Sequence, residues 1–186
     1  MNYPVLVLSS GGIDSTAVIK FYLNQSFEVS TLFVDYGQLS LKNEEKAVTK
    51  VCEYYNVPLK KIGFFGFKKK TDGFILGRNA LLLHIALMEF KQPKGLIGIG
   101  IHSSTSYVDC SNEFVNIMQA SFDLYTNGCI SIGAPFLNWG KKEICEYCVN
   151  NQVPLNLTYS CELGLDQPCG RCLSCRDLEV IYKDDS

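Results

Sequence analysis

The stretch Pro4-Val5-Leu6-Val7-Leu8-Ser9-Ser10-Gly11-Gly12-Ile13-Asp14-Ser15 decides the fold. Residues 4–9 are a β-branched and leucine-rich run that predicts a strand, and Gly11-Gly12 predicts the turn that ends it. A helix is expected next, capped by Asp14 or Ser15 and running through about Gln25. Two glycines let the backbone turn tightly and approach a ligand, while successive N–H groups and the helix N-terminus offer partial positive charge to a phosphate. Ser10 and Ser15 add hydroxyl donors. The spacing is neither GxGxxG nor GxxxxGK[ST], which excludes the dinucleotide-binding and Walker loops. Taken alone, the corner also reads as an ordinary glycine turn with Asp14 as a helix cap.

Working outward, apolar runs alternate with helical patterns. A second run, 28–34, ends at Asp35-Tyr36-Gly37, and 41–55 follows with Ala47, Val48, Val51 and Tyr55 at helical spacing, closed by Pro58. Residues 59–65 read as a third strand and 66–77 as a loop. The segment 79–90 is apolar nearly all round, which implies a buried helix, and 95–101 reads as a central strand covered on both faces. A polar loop, 102–112, leads to a helix over 113–125, a short strand over 130–134 and a helix over 141–150; 151–160 looks like a linker. This alternation implies an α/β fold, a Rossmann-like open and mostly parallel sheet with helices on both faces. The glycine corner, Asp35 and His102 all fall just beyond strand ends, where such sheets bind ligands.

The chain has 186 residues, the size of a single domain over 1–186. A hydrophobic share of 47% and a charged share of 19% exclude disorder, collagen-like repeats and coiled coil. Seventeen Lys and Arg against nineteen Asp and Glu leave a net charge of −2, which argues against direct nucleic-acid binding by bulk electrostatics. No stretch approaches the roughly 20 apolar residues that span a bilayer. The start lacks a basic n-region and a cleavage pattern, so a cytoplasmic location and no membrane partner are expected.

Nine cysteines cannot all pair within one chain, and four of them crowd together as Cys161-x7-Cys169-x2-Cys172-x2-Cys175. In a reducing compartment that clustering reads as metal ligation. Four thiolates suit a closed tetrahedral zinc site that stabilises the fold and leaves no open coordination position. The readings set against zinc are an iron–sulfur cluster, which would want a Cys-Pro where Cys175 is followed by Arg176-Asp177, and a redox pair. Cys145 and Cys148, at i and i+3 of the expected last helix, read as buried small residues. Cys110, in the polar loop, is a candidate for a catalytic role, and His84 reads as a satisfied core residue.

The string SGGxDS after an initial strand resembles the PP-loop of the ATP pyrophosphatase superfamily, which splits ATP into AMP and pyrophosphate while adenylating a substrate oxygen. By that resemblance Ser9, Ser10, Gly11, Gly12, Asp14 and Ser15 bind the phosphates, and Asp14 helps hold Mg²⁺ or positions the loop. With the C-terminal cysteines, the whole chain resembles the QueC (7-cyano-7-deazaguanine synthase) family. The resemblance runs through Asp35-Tyr36-Gly37-Gln38, Gly77-Arg78-Asn79, Asp109-Cys110, Pro135 with Lys141-x-Glu143-Ile144, and Thr158-x-Ser160-Cys161 leading into Pro168-Cys169-Gly170-x-Cys172-x-Ser174-Cys175.

It implies a ligase that adenylates the carboxylate of 7-carboxy-7-deazaguanine with ATP; ammonia then gives the amide and, after a second activation, the nitrile. Arg78 and Lys141 are the candidates, with Asp14, for the catalytic machinery that neutralises departing pyrophosphate. Asp35, Tyr36, Gln38, Asn79, His102, Tyr107 and Asp109 are the candidates for substrate binding, and the zinc segment is expected over 158–180. The implied cofactors are structural Zn²⁺ and Mg²⁺, with ATP as substrate; the implied partners are the deazaguanine, a homodimer mate and a protein acceptor encoded nearby.

The chain departs from the family pattern at Leu39-Ser40-Leu41, where a basic, His-containing stretch is usual. It departs again in the shortened loop His102-Ser103-Ser104-Thr105-Ser106-Tyr107-Val108-Asp109-Cys110, and at Ile75-Leu76 in place of Val-Pro. Such trimmed versions resemble the QueC-like proteins of antiviral operons, including type IV CBASS, in which a protein amine replaces ammonia as acceptor. Two further classes stand against the ligase: a zinc-stabilised binding module without activity, and a tRNA-thiolating PP-loop enzyme, for which net charge and length leave no RNA-binding surface.

Overall fold

The computed structural model describes residues 3–64 and 74–176. Five parallel strands form one sheet: β1 (Pro4–Leu8), β2 (Glu28–Asp35), β3 (Leu59–Gly63), β4 (Gly95–Gly98) and β5 (Ile130–Gly133), in the order β3-β2-β1-β4-β5. Parallel neighbours need long crossovers. Helices α1 (Ile13–Asn24), α2 (Leu41–Tyr55), α3 (Arg78–Glu89) and α4 (Asn112–Thr126) lie in turn between consecutive strands, and α5 (Lys141–Asn150) follows the last. The expected mostly parallel sheet is parallel at every pairing.

Strand alternation sorts the core into two layers. Val5, Val7 and Val29 join Ile13, Val18, Ile19 and Ile144 on the face covered by α1 and α5. Leu6, Leu8, Leu32 and Ile97 point the other way, against Leu83 and Ala86 of α3 and Phe122 of α4. Phe33, Val48 and Cys52 join α2 to β2. A strand buried on both faces cannot tolerate alternation with polar residues, which is why the sequence of β1 reads as an unbroken apolar run. At the edge, β3 carries exposed Lys60 and Lys61, charges that keep another strand from pairing there.

Several boundaries differ from the sequence reading. The first helix begins at Ile13 on Gly12, with no side-chain cap, so neither Asp14 nor Ser15 serves as the N-cap. The ladder of β4 ends at Gly98, and residues 99–101 turn into the ligand-facing end of the sheet. The expected linker 151–160 is an anchored segment: Val153 is buried, and Leu155 and Leu157 of a short 3₁₀ turn pack on the α1–α5 core. The polar loop holds a second 3₁₀ turn, Val108–Cys110. Most of the expected loop 66–77, residue 65 of the third strand and residues 177–180 of the zinc segment lie outside the described residues. Among the described residues no helix is long and apolar enough to cross a membrane.

The chain runs outward from β1 in both directions, to β2 and β3 on one side and to β4 and β5 on the other. That reversal opens a crevice between the ends of β1 and β4, the position where open α/β sheets take their ligands.

Candidate active site

A cleft of about 290 Å³ occupies this crevice. Its floor is the corner after β1. Gly11 has φ of +77°, and a Cβ there would sit 2.5 Å from the backbone nitrogen of Val48 in α2, so only glycine lets the loop lie this close. The corner is braced internally: Ser10 Oγ accepts from the Gly12 N–H at 3.3 Å, and the hydroxyls of Ser15 and Thr16 donate to the Gly12 carbonyl at 3.1 and 2.8 Å. These bonds hold the first turn of α1 toward the cleft, where a helix leaves its leading N–H groups without intrahelical partners. Ser9 is buried, lines the cleft and keeps a hydroxyl without a hydrogen-bond partner among the described residues. A buried hydroxyl in that condition is costly unless a ligand or water meets it.

Over this floor sit three ionisable side chains drawn from three parts of the chain. Lys141, the first residue of α5, donates to both carboxylate oxygens of Asp14 at 2.7 and 2.9 Å. His102, buried just beyond β4, has Nε2 3.6 Å from Asp14 Oδ2, and its Nδ1 pairs with the Ser104 hydroxyl at 2.5 Å. Burial alone would push the Asp14 carboxyl up, but the His102 ring and the Lys141 charge outweigh it and hold the carboxyl below its ordinary range. Asp14 is therefore an ionised group bridging two bases. Glu143 accepts from the Gly140 N–H at 2.6 Å, which fixes the start of α5 and so the root of Lys141.

The opposite wall is built from α2, α3 and the turn after β2. Asp35 closes that turn by accepting from the Gly37 N–H at 2.8 Å. Gln38 is buried: its amide donates to the Val34 carbonyl at 3.3 Å and to Glu44 at 3.0 Å, and its Oε1 accepts from the Tyr36 N–H at 3.0 Å. Glu44 also accepts from the Ser40 hydroxyl at 2.5 Å. Burial pushes its carboxyl up, against the lowering by those two bonds and by the charge of Arg78. The Tyr36 phenol is likewise pushed up by burial, with the Arg78 guanidinium beside it acting the other way. Asn79, buried at the start of α3, donates to the Asp109 carbonyl at 3.4 Å, and the Tyr107 ring lies 5.0 Å from that of Phe74. Burial also raises the Cys110 thiol, so at neutral pH this cleft-lining sulfur is not a thiolate.

The four C-terminal cysteines converge as their spacing predicts, with sulfurs all within 4.8 Å of one another. Cys169 and Cys175 Sγ are 3.8 Å apart, which matches the edge of a tetrahedron with metal–sulfur bonds of roughly 2.3 Å. Backbone N–H groups of Cys172 and Arg171 point at Cys169 Sγ and hold that thiol down at about 6, in the form a metal binds. No coordination position would remain for substrate. The segment nevertheless reaches the cleft: the Tyr159 N–H donates to the Gly11 carbonyl at 2.9 Å, and Ser160, Glu162, Leu173 and Ser174 line the wall. Glu162 accepts from the hydroxyl of Ser174 at 2.8 Å, which ties the two arms of the knuckle together.

The cleft thus brings together Ser9, Ser10, Gly12, Asp14, Ser15, His102 and Lys141, and with them Tyr36, Gln38, Arg78, Asn79 and Tyr107. Gly11, Asp35 and Asp109 do not line it: the first packs against α2, the second closes a turn and the third is buried behind Asn79. Cleft residues beyond the sequence reading include Glu44, Tyr159, Glu162 and Leu173. Glu44 carried a signal in its i+4 spacing from Ser40 at a helix start, whereas nothing local marked Glu162. His84 Nδ1 donates to the Ala80 carbonyl at 2.9 Å and its Nε2 pairs with the Ser121 hydroxyl at 3.1 Å, and Cys145 and Cys148 are buried, as expected from their positions.

The family model for the queuosine biosynthesis protein QueC matches residues 4–70 and 66–183. A 7-cyano-7-deazaguanine synthase of Prochlorococcus marinus (strain MIT 9312) is 28% identical over 212 residues, covering 98% of this chain and 94% of that protein. The synthase of Thermoplasma volcanium is 30% identical over 206 residues, covering 95% and 85%. Among solved structures, the U34-tRNA thiolase NcsA of Methanococcus maripaludis superposes with a TM-score of 0.57 at 16% identity, over 99% of this chain and 66% of its own, slightly under two thirds. An NMN synthetase of Francisella tularensis gives 0.52 at 14% identity, over 97% and 76%. These two likenesses are of fold. The family match spans the glycine corner after β1, the cleft and the cysteine knuckle in one chain, and the protein belongs to the QueC family of enzymes.

Proposed function

We propose that this chain is an ATP-dependent carbon–nitrogen ligase that converts 7-carboxy-7-deazaguanine to 7-cyano-7-deazaguanine, the reaction named for its relatives. The observation that carries the reading is the meeting of Asp14 and Lys141 over a glycine corner whose buried Ser9 hydroxyl has no partner among the described residues. A carboxylate is a poor electrophile until one oxygen is made a leaving group. Attack of that oxygen on the α-phosphorus of ATP forms the acyl adenylate and releases pyrophosphate. The N–H groups and hydroxyls of the corner hold the departing phosphates, and Lys141 and Arg78 neutralise the charge that builds there.

Ammonia then displaces AMP to give the amide, losing one proton. A second ATP adenylates the amide oxygen, and elimination of AMP and a proton leaves the nitrile. Asp14 is the carboxylate that would hold Mg²⁺, which when bound would supply further neutralisation of phosphate charge. Because Lys141 engages both Asp14 oxygens, nucleotide binding would move the ammonium from carboxylate to phosphate. Zn²⁺ suits the four sulfurs as a fold-stabilising ion.

Purified protein incubated with ATP, Mg²⁺, 7-carboxy-7-deazaguanine and ammonium should yield the nitrile with AMP, about two AMP per nitrile, by mass spectrometry. The shortened loop after β4 favours one variant of this chemistry, transfer of the activated acid to a protein amine. That variant gives AMP without the nitrile once the protein acceptor is supplied. No AMP with any acceptor would refute the ligase reading.

A further inference from the structure

We infer that Glu44 is the group that reads hydrogen-bond donors on the bound ligand, and that Gln38 is its positioning residue rather than a ligand contact. The inference rests on the proposed reaction, which puts a nucleotide and a deazaguanine in this cleft. It follows from a count of hydrogen-bonding capacity. An amide side chain has two N–H donors and one oxygen. Both donors of Gln38 are taken, by the Val34 carbonyl and by Glu44, and its oxygen is engaged by the Tyr36 N–H. Gln38 is also buried, so it has little left to offer a ligand.

Glu44 is in the opposite condition. A carboxyl group has two oxygens with about two acceptor positions each. Ser40 takes one on one oxygen and Gln38 takes one on the other, which leaves an acceptor on each oxygen of a group that lines the cleft. Ser40 and Gln38 fix the plane of the carboxylate, and a planar pair of free acceptors matches a pair of adjacent donors. Two such pairs come with the proposed substrates: the N1–H and 2-amino edge of the deazaguanine, and the 2′,3′-diol of the nucleotide's ribose. Burial pushes the Glu44 carboxyl up, and the charge of Arg78 acts against that push.

The test is binding without turnover, by calorimetry on the full chain with its metal. Each ligand is compared with a partner lacking one or both of the donors: ATP with 2′,3′-dideoxy-ATP, and 7-carboxy-7-deazaguanine with its 2-desamino analogue, which keeps only N1–H. Hydrogen bonds to the Glu44 carboxyl predict that the natural protein prefers one parent ligand over its donor-depleted analogue by about 10- to 100-fold. In E44Q and in the shorter E44D that preference should collapse to near unity, while affinity for the donor-depleted analogue stays the same. Collapse in the deazaguanine pair assigns Glu44 to the base; collapse in the nucleotide pair assigns it to the ribose. Preference retained in both pairs by a folded E44Q or E44D overturns the inference. If the natural protein binds neither parent ligand, the proposed function fails, and that outcome is separate from the behaviour of the Glu44 variants.

Discussion

Replacing Lys141 by methionine removes the ammonium that holds both oxygens of Asp14 and keeps a side chain of similar length. AMP formation by Lys141→Met should fall about 100-fold or more, as it does when an electrostatic stabiliser of a leaving group is lost. A rate within a few-fold of the natural protein would remove Lys141 from the chemistry. Asp14 adds a stability signature. Its folded carboxyl lies below the ordinary value of 3.8, so the ionised form contributes stability that is complete above that value and is lost as pH falls through the lower folded value. In urea denaturation the natural protein should exceed Asp14→Asn most at about pH 6, and the gap should narrow below about pH 4. A gap that does not depend on pH would mean that the carboxylate is not held ionised by its partners. The glycine corner after β1 was legible in the sequence because the order of its residues along the chain is itself the motif. Glu162 was not, and Glu44 only through its spacing from Ser40, because a lone glutamate on a helix or in a loop looks like solvated surface until another element packs over it.

At the scale of elements, the corner after β1 works only because α2 lies directly beneath it. A Cβ on Gly11 would meet the Val48 backbone nitrogen at 2.5 Å and the Ala47 side chain at 2.9 Å, at a φ that L-residues disfavour. Backbone strain of about 1–2 kcal/mol and overpacking of about 1–3 kcal/mol should add, so Gly11→Ala is expected to destabilise by about 2–5 kcal/mol. Chemical denaturation measures this directly; a loss under about 1 kcal/mol would show that the corner can lift from α2. The helix α2 was readable to its ends, since its apolar residues repeat at helical spacing and Asn56 and Pro58 stop it. The segment after α5 was misread because its composition is polar and proline-containing, while only three apolar residues, Val153, Leu155 and Leu157, tie it to the core. Sparse anchors of that kind have no periodicity to detect, and their burial depends on α1 and α5 being in place.

At the scale of the molecule, the cysteine knuckle determines whether the chain behaves as one unit. It is a small segment whose four cysteines could hold a stabilising metal, and its contacts reach the two halves of the cleft. The Tyr159 N–H bonds to the corner at Gly11, and Asn43 of α2 donates to the Gly164 and Leu165 carbonyls at 3.1 and 3.3 Å. Opening the knuckle therefore uncovers both the phosphate loop and the start of α2, which carries Glu44. Coupling of that kind makes the segment part of the cooperative unit rather than an appendage. Scanning calorimetry of the metal-loaded protein is expected to give a single transition with calorimetric and van't Hoff enthalpies in agreement. A chelator, or Cys161→Ser, should move that whole transition downward, because a metal bound only by the folded state stabilises everything that unfolds with its site. ATP affinity should weaken in parallel. A separate low-temperature transition that appears on metal removal, with the main transition and ATP binding unchanged, would mean that the knuckle is an independent module and that its contacts with Gly11 and Asn43 carry no coupling.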